Sequence, residues 1–329
     1  MKAVVLRTRG GPEVLALEDV PRPEPAPDEV LVRVVATALN RADILQRIGG
    51  YPDPRPGIAY EIPGLEYAGT VEAVGARVSM WRPGDRVMAV EAGGGYAEFV
   101  CTHERQLLRV PDSVPLSDAA AIPEVFITAW DALVLQGGLT SGRWALVHAG
   151  ASGVGTAAIQ IAKAIGARIA VTCSAGKSDS CRALGADLVL ERSPHDWLTD
   201  LQSAVPSGVD VVLDVIGGDE VDRNLKAVAV RGSIVQVGLM GGGATHVNVG
   251  LLLAKRVTWV GTTLRARPLE EKVAVARRFA AEMLPLFETG HLRPVIDSRF
   301  PFERIADAHV HMGANANTGK ILIDIAPTT

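Results

Sequence analysis

Three cysteines in 329 residues leave no room for a disulfide framework, and Cys101, Cys173 and Cys181 form no C-x-x-C or other metal spacing. Reduced, unpaired thiols are the expectation. No run of basic residues occurs and the net charge is −4, which argues against a nucleic-acid surface. No uninterrupted apolar segment is long enough to span a bilayer, and Met1-Lys-Ala-Val-Val-Leu-Arg7 reads as a strand without the apolar core of a signal peptide. A cytoplasmic protein with neither membrane nor nucleic acid as partner is expected. Internal repeats and low-complexity tracts are also missing, and Pro21-Arg-Pro-Glu-Pro-Ala-Pro27 reads as an extended surface connection. What the chain does have is the length for two domains and a large buried core.

It also has one stretch rich in chemistry. Trp144-Ala-Leu-Val-His148 is a short apolar strand that runs into Ala149-Gly-Ala-Ser-Gly-Val-Gly155. Beyond it, Val154, Ala157, Ala158, Ile161, Ala162 and Ile165 fall on one helical face. Strand, glycine turn and helix in this order open a dinucleotide-binding βαβ unit, in which glycines let the backbone approach a pyrophosphate and the helix N-terminus binds that anion. Gly150, Gly153 and Gly155 supply the glycines, with Ser152 where G-x-G-x-x-G has its middle one and Val154 between the last two. Arg168-Ile-Ala-Val-Thr172 follows as the second strand.

The end of that second strand bears on which dinucleotide binds. An NAD site normally carries Asp or Glu there for the ribose 2′-OH, whereas this chain has Cys173-Ser174-Ala175-Gly176-Lys177 and no carboxylate before Asp179. Ser174 can donate a hydrogen bond and Lys177 brings a charge suited to a 2′-phosphate. NADPH is therefore the expected cofactor, the alternative being a polar loop on which Lys177 is merely solvated.

Texture divides the chain into segments 1–123, 124–265 and 266–329. Short alternating runs such as Val30-Leu-Val-Arg-Val-Val35 and Arg86-Val-Met-Ala-Val90, parted by Pro and Gly turns, predict a β-rich first domain. From Glu124 strands alternate with helices, the pattern of an α/β doubly wound parallel sheet. After Pro268 a long helix over Leu269 to Thr289 leads to a tail with a short helix near Ile305–Met312 and a strand Lys320–Ile325 that returns to the first domain. Val257–Thr263 reads as the edge strand of the parallel sheet. An exposed apolar edge is a pairing hazard unless covered, so a homodimer through 257–263 is expected.

The chain resembles the medium-chain dehydrogenases/reductases, and within them the zinc-free quinone oxidoreductases, closest to the tumour-suppressor-inducible branch. The resemblance spans nearly the whole sequence. It rests on Gly10-Gly-Pro-Glu13, Ala38-Leu-Asn-Arg-Ala-Asp43, Gly49-Gly-Tyr51, Gly64-Leu-Glu66, Gly84-Asp-Arg-Val87, Ile122-Pro-Glu124, the Gly150–Gly155 loop, Gly238-Leu-Met-Gly241 and Asn317-Thr-Gly-Lys320. It implies a GroES-like catalytic domain, a Rossmann domain, NADPH, and an active site in the cleft between them. Zinc relatives place a Cys where this chain has Asn40, a His where it has Leu65, and a third ligand near Glu124. With those positions changed, a hydride acceptor that needs no Lewis acid fits best. His309 and His311, the close histidine pair, stand two apart on a helix and point to different sides, so no metal is expected.

The resemblance also supplies site residues. Asn40 and Tyr51 are candidate donors to an acceptor oxygen, with Asp43 and Leu45 lining the substrate pocket. Asn40 reads equally as the N-cap of a helix over 41–47, with Asp43 in its first turn and Gly49-Gly50 closing it, and Tyr51 as a packed surface aromatic. Thr128 is implied to approach the nicotinamide. Leu239, Met240 and Gly241 follow a sheet strand at its carboxyl end, where ligands bind in such folds, and Thr263, Leu264 and Arg265 end the last strand similarly. Asn317 is implied near the cofactor phosphates. Arg192, where relatives have Tyr, suits phosphate pairing rather than stacking on adenine.

Three functions share these features. The first is an NADPH:quinone oxidoreductase acting on small quinones. The second is an NADPH-dependent reductase of activated double bonds in enones or enoyl thioesters, for which no basic groove for coenzyme A phosphates is visible. The third is a cofactor-binding sensor, structural protein or RNA binder without turnover, of which the acidic balance disfavours RNA.

Overall fold

A computed structural model describes residues 1–55, 57–192 and 196–325. The chain forms two compact units, one from Met1–Glu124 together with the segment from Leu264 onward, the other from Val125–Thr263. The junctions fall one and two residues from the sequence boundaries at 123/124 and 265/266, and they move Leu264 and Arg265 out of the unit that holds the glycine loop.

In the first unit β1 (Lys2–Val5) pairs antiparallel with β2 (Ala16–Asp19). The larger sheet is built on the long β3 (Glu29–Ala38), which α1 (Arg41–Arg47) follows, and on β4 (Glu66–Val74), β5 (Arg86–Val90), β6 (Phe99–His103) and β7 (Leu108–Arg109). Alternation places Val30, Val32 and Val34 on one face of β3, where they pack with Tyr67, Val71, Val87 and Val100. Each such aliphatic side chain contributes about 1.5–3 kcal/mol by leaving water.

The second unit begins within α2 (Pro123–Trp130), which continues into a π-helical turn over Asp131–Gln136. Strands β8 (Trp144–Val147), β9 (Arg168–Cys173), β10 (Leu188–Glu191), β11 (Val209–Asp214), β12 (Val228–Gln236) and β13 (Thr258–Gly261) alternate with α3 (Gly153–Ala164), α4 (Ser178–Ala183), α5 (Trp197–Ala204), α6 (Glu220–Ala227) and α7 (Val249–Lys255). All pairs are parallel, in the order β10-β9-β8-β11-β12-β13. This is the expected doubly wound sheet, and its order reverses between β8 and β11, where such folds bind ligands at the strands' carboxyl ends. The edge strand is shorter than the predicted 257–263: the ladder pairs Thr258–Gly261 with Ser233–Gln236, and the Thr262 N–H adds one further bond to Gln236 O at 3.0 Å.

The chain then returns to the first unit through α8 (Leu269–Glu288), β14 (Ile296–Pro301), α9 (Ile305–Gly313) and β15 (Lys320–Asp324). β15 pairs antiparallel with β3, Leu322 facing Ala38, and the Leu39 N–H donates to Ile321 O at 2.9 Å. That pairing carries Lys320 to the end of β3, beside Asn40.

Candidate functional site

The glycine loop has the geometry a bound pyrophosphate requires. Ala149 turns the chain at φ +57°, and a Cβ on Gly150 would lie 2.5 Å from the Val171 side chain. A Cβ on Gly155 would lie 2.4 Å from Ala149 O, against the loop's own backbone. Both positions exclude any side chain, the first by packing on β9 and the second by packing of helix on loop. Ser152 departs from the glycine pattern for a local reason: it is the N-cap of α3, and its Oγ accepts the Gly155 N–H at 3.0 Å. Gly153 and Val154 form the first turn of that helix. The cradle therefore fits a dinucleotide.

Next to it, Ser174 opens a 3-10 turn over Ala175–Lys177; Ser174 and Arg192 are exposed and Lys177 is half-buried. A carboxylate invisible to a reading of the second strand alone also belongs here. Glu191 ends β10 in register with Cys173, and Ser178 Oγ donates to its Oε1 at 2.6 Å. Arg192 Nη2 stands 3.9 Å from Glu220 Oε1. Cys173 and Cys181 are buried, and Cys173 Sγ lies 3.6 Å from Ser178 Oγ; interaction between the two thiols lowers the Cys173 pKa and raises that of Cys181.

At the other side of the sheet the ends of β12 and β13 open a cavity of about 310 Å³, lined by Gln236, Val237, Gly238, Leu239, Gly261, Thr262 and Thr263. Gln236 Nε2 donates to Gly238 O at 2.8 Å. The Thr262 hydroxyl donates to Asp131 Oδ2 at 3.3 Å, tying the strand end to the π-helical turn. Thr128 is buried in α2. The side chains of Leu239 and Met240 are exposed. The N–H groups of Met240 and Gly241 donate within the unit, to Val215 O at 3.3 Å and Ile216 O at 2.7 Å.

A polar chain that sequence reasoning missed joins the strand ends. His148 contacts Thr172 Oγ1 at 2.9 Å and Asn224 Oδ1 at 2.7 Å, and Asn224 Nδ2 donates to Asp214 Oδ2 at 3.0 Å. Asp214 Oδ1 accepts the Ile216 and Gly217 N–H groups at 2.6 and 3.0 Å. The available signal was His148, Thr172 and Asp214, polar residues at or next to the ends of three mostly apolar strands.

In the first unit Asn40 is the N-cap of α1, and its backbone N–H donates to Asp43 Oδ2 at 2.8 Å. Its amide faces inward. Nδ2 donates to Glu66 Oε1 at 2.9 Å and Ala38 O at 3.3 Å, and Oδ1 accepts from Lys320 Nζ at 2.7 Å. Lys320 spends its other donors on Leu39 O at 2.6 Å and Glu66 Oε1 at 2.7 Å, and Glu66 Oε2 accepts the Glu124 N–H at 2.8 Å. Both amide hydrogens of Asn40 are thus committed, which corrects the expectation of Asn40 as a donor to substrate.

Asp43 is corrected as well. It is wholly buried rather than lining an open pocket, and its Oδ2 also accepts from Tyr96 OH at 2.9 Å. Burial pushes its carboxyl up to about 6, against the hydrogen bonds from Asn40 and Tyr96. Tyr96 in turn stands 3.4 Å from His309 Nε2, whose imidazole burial pushes down to about 3.

Leu45 is 38% exposed on α1 and Tyr51 is half-buried in the loop after it. Leu264 is half-buried. Arg265 is only 4% exposed and its guanidinium lies beside Tyr51, donating to Ala92 O at 2.7 Å, Gln46 Oε1 at 2.7 Å and Tyr51 O at 3.2 Å. It is therefore no open-ended cofactor contact of the parallel sheet. Asn317 sits in the turn before β15, where its Nδ2 donates to Gly319 O at 2.8 Å. Among the described residues no group of three or more His, Cys, Asp or Glu could hold a metal ion, and no helix is long and apolar enough to cross a membrane.

Comparison with known proteins agrees with this architecture. Residues 26–112 match the alcohol dehydrogenase GroES-like domain and residues 153–282 the zinc-binding dehydrogenase family. The synaptic vesicle membrane protein VAT-1 homolog of Rattus norvegicus is 32% identical, covering 99% of this chain and 85% of its own. The quinone oxidoreductase of Homo sapiens is 32% identical over 98% of this chain and 97% of its own. Among solved structures, the Pseudomonas syringae quinone oxidoreductase superposes with a TM-score of 0.90 at 32% identity, covering 98% of this chain and 99% of its own. A mycobacterial protein solved in complex with NADPH superposes at 0.89 and 30% identity, covering 99% and 100%. Glycine cradle, doubly wound sheet and GroES-like unit thus occur together along one chain, and the protein belongs to the medium-chain dehydrogenase/reductase superfamily of nicotinamide-dependent oxidoreductases.

Proposed function

We propose that the protein is an NADPH-dependent quinone oxidoreductase that reduces small soluble quinones without zinc. The observation that carries the cofactor assignment is the edge formed by the ends of β9 and β10. Ser174 and Arg192 are exposed there, Lys177 is half-buried, and Glu191 is turned to Ser178. A hydroxyl and two cations beside the ribose position suit a phosphate, and the hydrogen bond from Ser178 draws Glu191 away from the role an acidic residue plays in NAD sites. The mycobacterial neighbour bound to NADPH supports the same choice.

When bound, the nicotinamide supplies the hydride. The chain's own residues would bind and orient it: the Gly150–Gly155 backbone and the first turn of α3 would hold the pyrophosphate, with Thr128, Leu239 and Thr263 toward the nicotinamide. On the acceptor side Tyr51 offers a hydroxyl to the developing oxygen anion, with Leu45 as an apolar wall. Asn40 acts indirectly, through the buried bond to Lys320 that fixes the start of α1. The quinone oxidoreductases among the relatives support the acceptor class. The changed ligand positions at Asn40, Leu65 and Glu124 support a reaction without zinc.

The test is steady-state NADPH oxidation against panels of quinones, enones and enoyl thioesters. Quinones are expected to give the highest kcat/KM. A higher value on an enone or thioester would make the protein a double-bond reductase, and no turnover on any panel would leave a cofactor-binding protein. We also propose a homodimer through β13. Trp259, Val249 and Leu253 are 43%, 66% and 77% exposed on that strand and on α7, and an uncovered apolar edge favours pairing. Light scattering should give a dimer that Trp259→Arg converts to a monomer; a monomeric parent protein would refute the interface.

A further inference from the structure

We infer that Arg265 is a positioning residue that fixes the ring of Tyr51, and so the acceptor wall of the site. The inference rests on the reading of Tyr51 as an acceptor-side residue. All the groups concerned belong to the first unit. The guanidinium carbon lies 4.9 Å from the centroid of the Tyr51 ring, within the range of a cation–π contact. Its nitrogens reach three separate segments: Nη1 the carbonyl of Tyr51 itself, Nη2 the Gln46 side chain on α1, and Nε the carbonyl of Ala92 after β5. Asp53 Oδ2, two residues beyond Tyr51, lies 3.6 Å from Nη2 and is also held by Arg55 at 2.6 Å. One side chain therefore grips the Tyr51–Asp53 loop by backbone, ring and carboxylate at once.

The loop needs such a grip. Gly49 has φ +88° and Gly50, Pro52 and Pro54 surround Tyr51, a composition that by itself leaves the ring direction unspecified. Burying an arginine is costly unless its donors are used, and burial does hold the Arg265 guanidinium below its usual range. A residue that served packing alone would be apolar. Arginine is suited here because its planar fork stacks on an aromatic face while donating at its edges, which lysine cannot do. With one face of Tyr51 covered by the cation, the ring's other face and hydroxyl are left in a single orientation before the acceptor arrives, and preorganisation of this kind is read in the acceptor's KM.

The experiment compares full-length wild type with Arg265→Lys and Gln46→Ala, the second removing one anchor of the guanidinium should the first fail to fold. Three quantities are measured: acceptor KM and kcat, the NADPH dissociation constant, and the fluorine NMR spectrum of protein carrying 3-fluorotyrosine. The four tyrosines give four resonances, and Tyr51→Phe identifies the one of interest. Arg265→Lys should raise the acceptor KM by about tenfold, the worth of one hydrogen bond to a charged group, with the NADPH constant changed by less than about twofold, below 0.5 kcal/mol. The Tyr51 resonance should shift and broaden while the other three stay in place. Combined with Tyr51→Leu, the lysine variant should cost nothing more, since it acts through the ring already removed. An unmoved Tyr51 resonance, additive losses, or a rise in the NADPH constant matching that in KM would overturn the inference. The resonance also decides it without turnover: if no quinone or enone is reduced, the proposed activity fails, while movement of the Tyr51 signal still separates a gripped ring from a free one.

Discussion

The second unit prepares its site with backbone, whereas the first prepares its own with buried charge. Around Gly150–Gly155, the proposed cofactor cradle, the groups on offer are main-chain N–H groups, and side chains are excluded where a Cβ would strike Val171 or Ala149 O. Around Asn40, Glu66, Lys320 and Asp43 the groups are charged or polar and almost wholly buried, and their partners include residues far away in the sequence. The difference has a physical consequence. A backbone cradle tolerates nothing larger but hardly depends on pH, while a buried ionic interior tolerates some change of shape but depends strongly on protonation.

The largest expected effect tests the first half of this contrast. Gly155→Val puts a branched side chain where a single Cβ already comes within 2.4 Å of Ala149 O, so the loop must open or the helix must move. NADPH affinity should fall by about a thousandfold or more, about 4 kcal/mol, in a fluorescence titration. Affinity within about tenfold of wild type, a change of only about 1.4 kcal/mol, would show that the loop is a structural turn and not the pyrophosphate site.

The same contrast explains what a sequence reveals. The glycine loop and the strand–helix alternation are local: Gly150, Gly153 and Gly155 lie within six positions, and the period of each element is written in its own residues. They were legible, as was the sheet type. The first unit's interior was not. Lys320 meets Asn40 across 280 positions of chain, and only the antiparallel pairing of β15 with β3 brings them together. Without that partner, Asn40 retained an amide apparently free for substrate. Arg265 follows the last parallel strand in sequence, yet its guanidinium reaches Gln46 and Ala92 in the first unit, a placement only the folded chain reveals. Glu191 is invisible in the sequence of β9 because it comes to that edge from the neighbouring β10.

The second prediction concerns pH and belongs to the first unit alone. Asp43 is raised by burial from 3.8 to about 6, so between those values the unfolded chain has lost a proton that the folded chain keeps. Stability therefore falls as pH rises through that window, by about 1.4 kcal/mol per unit. His309 is lowered by burial from 6.5 to about 3. Its unfolded form binds a proton that the folded form refuses, so its contribution is complete above 6.5 and is lost as pH falls toward 3. The two slopes oppose each other between pH 4 and 6. Asp43→Asn should unmask the histidine, gaining about 3 kcal/mol relative to wild type on going from pH 4 to 6, and His309→Gln should lose a similar amount over the same interval. Urea midpoints at a series of pH values measure both. Profiles that stay parallel to wild type would mean that neither group is held out of its ordinary protonation range.

The smallest expected effect returns to the second unit and to the one place where it relies on side-chain charge. Lys177 is half-buried at the end of the turn that Ser174 begins, near enough to solvent that salt and water weaken any phosphate contact it makes. Lys177→Ala should then raise the KM for NADPH by about tenfold, about 1.4 kcal/mol, within the range for a hydrogen bond to a charged group. The KM for NADH, which has no 2′-phosphate, should move by less than about twofold. A further distinction follows from the surroundings. If Lys177 acts as a phosphate partner, the tenfold gap between wild type and variant should shrink as ionic strength rises, because the lost interaction is the screened one. Should the variant instead weaken NADPH and NADH alike, at every salt concentration, Lys177 would be holding the turn, and any preference for NADPH would have to come from Ser174 and Arg192.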